Sequence, residues 1–167
     1  DLTQHEKYSG EDLKYFDEAK GEKYIPYVIE PSCGVDRTML ALICDGYTEF
    51  EKGRQGDSNT SEIVLKLKSN ISPIKVAVLP LVKNKEEITS KAKEVFDSIS
   101  PCFVSEYDET GTIGKRYRRQ DEIGTPFCIT IDFDTLNDNA VTVRNRDTME
   151  QERILINDLI NYLNKNV

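Results

Sequence analysis

The sequence predicts an α/β domain in which helices flank a mixed sheet, and three observations carry that expectation. From Pro73 onward, segments alternate strand, helix, strand, helix, strand. Phe127, Ile129, Ile131 and Phe133 recur with the period of a half-buried strand, whereas Ile88, Ala92, Val95, Phe96 and Ile99 share one helical face. At 167 residues the chain can enclose one medium core, or a small domain plus part of another.

Residues 1–23 are polar, with Tyr8, Leu13, Tyr15 and Phe16 scattered among charges, and read as loop with one short helical turn. Residues 24–30 read as a buried strand. It is apolar on both faces and needs neighbours. Residues 35–48 read as a helix from the spacing of Val35, Met39, Leu42, Ile43 and Tyr47, ended by Asp45-Gly46. Residues 49–62 are polar and rich in Gly, Ser and Asn, and read as a mobile linker. Ile63 to Leu67 is a short apolar segment.

The second half is more regular. Strands are expected at Ile74–Val82, Phe103–Tyr107, Phe127–Phe133 and Ala140–Arg146, and helices at Glu86–Ile99 and Ile113–Ile123. An amphipathic helix over Met149–Leu163, with Ile154, Leu155, Leu159, Ile160 and Leu163 apolar, closes the chain.

Charged residues make up 31% and the net charge is -8, so any contact with nucleic acid has to come from a local basic patch. Cys33, Cys44, Cys102 and Cys128 lie far apart with neither zinc spacing nor a disulfide framework, which points to a reducing, cytoplasmic setting. No apolar run reaches membrane-spanning length. The first residue is Asp1 rather than Met, which suggests a fragment or a processed product. Walker, GxSxG and Rossmann glycine patterns are missing. The single histidine, His5, lies in the polar leader, so a histidine-activated nucleophile has weak support.

Two stretches carry chemistry. In Glu30-Pro31-Ser32-Cys33-Gly34-Val35-Asp36-Arg37, a carboxylate ends an apolar run, a turn follows, and an arginine enters the first turn of a helix. Glu30 either accepts from a ligand ammonium or pairs with a nearby cation. Ser32 and Gly34 serve equally as turn residues. Arg37 suits bidentate phosphate binding, and an anionic ligand would relieve its conflict with the helix dipole; Asp36 would do the same. The second stretch is Gly111 to Gly124, where Lys115, Arg116, Arg118 and Arg119 surround Tyr117. It reads either as a phosphate-contacting surface or as a solvated face with an Arg118–Glu122 pair. Arg144 and Arg146 either extend that surface or make local salt bridges, and Asp132 and Asp134 read as turn formers before metal or base ligands.

Val28 through Arg37 resembles the third signature motif of glycyl-tRNA synthetases of the dimeric class II type. Gly111–Tyr117, Arg119–Phe127, Thr130–Asp134 and Val143–Met149, with Ile74–Leu81 as first strand, resemble the anticodon-binding domain of that family. The resemblance implies that residues 1–70 are the end of an antiparallel-sheet catalytic domain, with signature motif 28–42 and linker 49–62, and that 73–167 are the anticodon-binding domain. It implies ATP-dependent attachment of glycine to tRNA(Gly), with Mg2+ as the family's ion but no metal-binding motif here. Glu30, Pro31, Ser32, Cys33 and Gly34 would form the glycine pocket, with Glu30 on the amino group and Ser32 crowding Cα. Gly34, Val35, Asp36 and Arg37 would face ATP, with Arg37 on the γ-phosphate. Lys115, Arg116, Arg118, Arg119, Asp121 and Glu122 would contact the tRNA. A full-length homodimer in the cytoplasm, with neither DNA nor membrane as partner, is implied as well.

The family's first and second motifs have no counterpart here, so this polypeptide alone is expected not to activate glycine. A non-catalytic RNA-binding accessory module with the same fold is the alternative, and a purely structural interaction domain is a third reading.

Overall fold

The computed structural model describes residues 1–54 and 60–167. These form two compact units, Asp1–Thr38 and Met39–Val167.

In the first unit, Leu2–Ser9 forms helix α1, and Tyr15–Asp17 (β1) pairs antiparallel with Glu22–Tyr24 (β2). The polar leader is therefore more ordered than its composition predicts. Tyr15 and Tyr24, paired in register, meet edge to face with ring centroids 6.0 Å apart, and Lys14 bonds Glu6 across 2.8 Å. The strand expected over 24–30 does not form: β2 ends at Tyr24, and residues 27–30 are exposed and irregular. Pro26 and Pro31 have no N–H to give to a ladder, and no described strand lies beside this segment to satisfy the rest.

Val35–Gly46 is helix α2, as its periodicity predicts, and the division between the units falls within it. Its apolar stripe is uncovered: Val35 is 81% and Met39 57% exposed. Tyr47–Phe50 (β3) and Glu62–Leu65 (β4) then pair as an antiparallel hairpin. The expected linker over 49–62 thus has strand residues at both ends, while residues 55–59 of it lie outside the described residues.

The five-stranded sheet has the order β6-β5-β7-β8-β9, with β5 Val76–Pro80, β6 Ser105–Tyr107, β7 Phe127–Ile131, β8 Ala140–Asn145 and β9 Gln151–Leu155. β5 is parallel to β6 and β7, while β7–β8 and β8–β9 are antiparallel, so the sheet is mixed as expected. Its parallel pairs are bridged by α3 (Glu86–Ile99) and α4 (Ile113–Ile123), both with the boundaries that periodicity predicts.

Strand alternation sorts the core into layers. Val76, Val78, Ile129, Ile131, Val141 and Val143 point to one side and pack with Ile88, Ala92, Val95 and Ile99 of α3 and with Leu159 and Leu163 of the last helix, α6 (Leu159–Asn166). Ala77, Leu79 and Cys128 face the other side, under Ile113 and Tyr117 of α4.

The closing helix expected over 149–163 is a correction. Residues 151–155 form edge strand β9, and the helix begins only at Leu159. Met149, at φ 62, turns the chain back so that β9 pairs with β8. Ile154 and Leu155 fit either period, and tertiary pairing decided between them. A short helix, α5 (Thr135–Asp138), was not anticipated.

Candidate nucleic-acid interface

The strand register sets up an unusual sheet face on the α4 side. Ala77, Cys128, Arg144 and Gln151 lie in one cross-strand row, and Thr130, Thr142 and Arg153 lie in the next. Under α4 the row is apolar. Beyond β7 it turns polar, and β9 is mostly exposed. Between this polar face and α4 lies a cleft of about 470 Å3, lined by Thr112, Gly114, Lys115, Tyr117, Arg118, Asp121, Arg144, Met149 and Gln151, with Arg54, Glu62 and Ile63 from the β3–β4 hairpin. Four cations face two carboxylates in a chain whose net charge is -8, so the cleft is a local reversal of the molecule's charge.

The inner stripe of α4 is polar. Arg116 is 1% exposed and its guanidinium donates to the carbonyls of Pro80, Glu109 (2.9 Å) and Gly111 (2.8 Å). It staples the carboxyl end of β5 to the loop entering α4. Gln120 accepts from the Thr125 hydroxyl at 2.7 Å, and the Tyr117 hydroxyl shares a hydrogen bond with Thr130. Burial raises the Tyr117 phenol above its ordinary pKa, which keeps it protonated.

Asp121, also buried, receives both terminal nitrogens of Arg144 at 3.0 and 3.1 Å, and a further donation from Arg54. Burial opposes the charge of Arg144, but Asp121 outweighs it and raises the pKa. The Arg144 guanidinium stacks over the Tyr117 ring at 4.8 Å. Arg146 is committed elsewhere, to the Gly124 and Leu67 carbonyls (both 2.7 Å) and to Asp147.

The expected tRNA contacts therefore separate. Arg116 and Asp121 are both buried with internal partners, and Asp121 also lines the cleft. Lys115, Arg118 and Glu122 are exposed. Arg118 lies 3.6 Å from Glu62 rather than paired with Glu122. Arg119 is half-exposed and bonds Asp108 and the Thr110 carbonyl. Burial would raise the Asp108 carboxyl, but Arg119 and the Thr110 N–H hold it below its ordinary 3.8. Asp132 forms the anticipated turn through the Thr135 N–H at 2.9 Å and also receives Arg153.

In the first unit, Glu30, Pro31, Ser32, Cys33, Gly34, Val35, Asp36 and Arg37 are all exposed. Among the described residues, the Glu30 carboxylate and the Arg37 guanidinium have no hydrogen-bond or ion-pair partner. The Gly34 carbonyl accepts from the Thr38 N–H and hydroxyl, both at 3.0 Å, and the Cys33 thiol lies 2.8 Å from that hydroxyl. Arg37 thus stands in the first turn of α2 with its donors uncommitted. Among the described residues, no group of three His, Cys, Asp or Glu side chains stands together as a metal cluster.

Sequence reasoning missed Arg54, Glu62 and Gln151. Arg54 sits in a Gly/Ser-rich stretch with no periodicity, and Gln151 in a segment read as helix, so no local signal marked either.

Comparison with known proteins places this architecture. The family described as the anticodon binding domain matches residues 75–166, and the chain belongs to that family. Over nearly its whole length it is similar to glycine–tRNA ligases. It is 55% identical over 165 residues to that of Lachnoclostridium phytofermentans (99% of this chain, 34% of the ligase). The figures are 54% over 167 residues for Clostridium acetobutylicum (100% and 35%) and 52% over 163 for Thermobifida fusca (98% and 35%). The chain spans about a third of the length of these relatives. Among solved structures, the RNA binding domain of threonyl-tRNA synthetase from Cryptosporidium parvum superposes with a TM-score of 0.55 at 27% identity, over 60% of this chain and 25% of that one. Prolyl-tRNA synthetase of the same organism shares the fold at a TM-score of 0.57 and 22% identity, over 60% and 22%. No helix among the described residues is long and apolar enough to cross a membrane.

Proposed function

We propose that this chain is part of a glycine–tRNA ligase and that its sheet domain grips the anticodon loop of tRNA(Gly). The observation that carries the reading is the cationic cleft between α4 and the polar face of β8–β9, within a family domain matched over 75–166. Lys115 and Arg118 offer charge to phosphates. Tyr117, Arg144 and Gln151 offer a ring and polar edges to bases. Arg119 and Glu122, on the same helix as Lys115 and Arg118, serve as further contacts.

In the same reading, residues 1–70 are the end of the catalytic domain and 73–167 the anticodon-binding domain. Glu30 holds the glycine ammonium, and Pro31, Ser32, Cys33 and Gly34 shape a pocket too small for larger amino acids. Gly34, Val35 and Asp36 line the ATP side, and Arg37 takes the γ-phosphate, supported by its uncommitted donors at a helix N-terminus. A cytoplasmic homodimer is the working form of the whole enzyme. By itself this polypeptide binds tRNA without activating glycine.

Filter binding of a tRNA(Gly) transcript across salt concentrations tests the reading. Affinity should fall linearly with log salt, and Lys115→Ala or Arg118→Ala should each reduce the slope by about one. Absence of measurable affinity at low salt, or identical slopes for wild type and both variants, would leave the cleft a solvated structural face.

A further inference from the structure

The cleft is not built by the matched family domain alone. One wall comes from the β3–β4 hairpin, which precedes residue 75, and Arg54 is the side chain that joins that wall to the cleft's buried carboxylate. The Arg54 side chain is only 9% exposed and uses all three guanidinium nitrogens. Nε donates to Glu62 at 3.2 Å, one terminal nitrogen to the Arg146 carbonyl at 2.6 Å, and the other to Asp121. Each carboxylate it holds also holds a cation of the cleft: Asp121 grips Arg144, and Glu62 lies 3.6 Å from Arg118.

Resting on the anticodon-loop reading above, we infer that Arg54 is a positioning residue for RNA recognition: it sets the angle at which Arg144 and Arg118 meet the nucleic acid, and thereby discrimination between anticodons. The carboxylates give the reason. A cation already neutralised by a buried carboxylate gains little from releasing counterions, so Arg54 and Arg144 contribute little to the salt-dependent part of binding. What they supply is fixed geometry, and geometry at base edges carries sequence information. Lys115, with no partner among the described residues, does the opposite: it adds salt-dependent affinity and no selectivity. A hairpin clamp with only a structural role would change stability and leave selectivity alone.

The test uses the whole 167-residue chain. Dissociation constants are measured for a tRNA(Gly) anticodon stem-loop and for the same stem-loop with one anticodon base changed, over a range of salt. Arg54→Ala should lower the ratio of the two affinities about tenfold, the scale of one lost charged hydrogen bond, with the salt slope unchanged. Arg54→Lys keeps the charge but not the three-way fork, and should not restore the ratio. Circular dichroism melting confirms folding. If Arg54→Ala does not fold, Glu62→Gln decides, with a smaller fall in the ratio expected. An unchanged ratio in a folded variant overturns the role of Arg54, while wild-type stem-loop binding still upholds the proposed function. A wild-type chain that binds neither stem-loop overturns both, and one that binds both equally overturns the role of Arg54 alone.

Discussion

Replacing Arg116 by alanine should cost the sheet domain about 2–4 kcal/mol without touching RNA affinity in the folded fraction. The magnitude follows from what the side chain touches. Its loss strands the buried Pro80 carbonyl, at about 1–3 kcal/mol, while the Glu109 carbonyl lies in an exposed loop where water can replace the bond. Two buried methylenes add about 1.5 kcal/mol. Against this, the folded state no longer has to desolvate a charge that no carboxylate accompanies, which returns part of the loss. For a domain of this size the net should lower Tm by roughly 5–15 °C. Arg116→Met, which refills the volume but leaves Pro80 unpaired, should lie between wild type and alanine. Thermal melts by circular dichroism measure the stability, and tRNA filter binding below the transition measures the salt slope. A melt within 2 °C of wild type, marked by ~ zero stability cost and a slope reduced by about one, would show that Arg116 faces the RNA and that the staple is misread.

Three further outcomes follow from the same geometry. Burial raises the Asp132 carboxyl, but Arg153 and the Thr135 N–H outweigh it and hold it below 3.8, and Arg153 also lowers Asp138. A carboxyl lowered in the folded state stabilises above its ordinary pKa and loses that contribution as pH falls through the folded value. The stability gap between wild type and Arg153→Ala, read by urea melts, should therefore be full at pH 7 and shrink below pH 3.8; a gap that grows on acidification would contradict the pairing. Gly124 sits at φ 87 with the Leu65 carbonyl 3.0 Å from where a Cβ would stand, so Gly124→Ala should destabilise by about 1–3 kcal/mol and loosen β4 from α4, visible as faster amide exchange at Val64. Burial pushes the Cys128 thiol up to about 12, so iodoacetamide should label Cys33, Cys44 and Cys102 in the native chain and spare Cys128 by mass spectrometry.

Legibility of the fold in the sequence tracked where packing and periodicity agree. Helices α3 and α4 and strands β5, β7 and β8 lie where their patterns place them, because each buries a face against the sheet or forms its centre. Residues 25–30 have apolar character but no described strand beside them, and residues 151–155 have helical spacing but an open edge of β8 to pair with; in both, a partner outside the segment decided the outcome. The candidate interface was half legible. The basic run on α4 announced itself, yet a charge run does not say which members point inward. The stripe Ile113, Arg116, Tyr117, Gln120, Asp121 and Gly124 has core-facing spacing, but patterning rules look for apolar residues there, and three of these six positions are polar or charged.

What separates structural from recognising cations around this cleft is how many donors are already spent. A guanidinium fixes its plane through its N–H groups, and each one given to a rigid acceptor is unavailable to a ligand. Arg116 gives its terminal nitrogens to three carbonyls, and Arg146 gives its own to two carbonyls and a carboxylate; both serve the chain. Arg144 spends its terminal nitrogens on Asp121 but presents a stacked, oriented plane to the cleft. Arg118 has one long ion pair, and Lys115 none among the described residues. The order from Arg116 through Arg144 and Arg118 to Lys115 is therefore one of increasing freedom to bind phosphate. Alanine replacement along it should trade stability loss for loss of salt-dependent RNA affinity, with Arg116 and Lys115 as the two ends. Stability and salt slope falling together at every position would mean that burial does not sort these side chains by role.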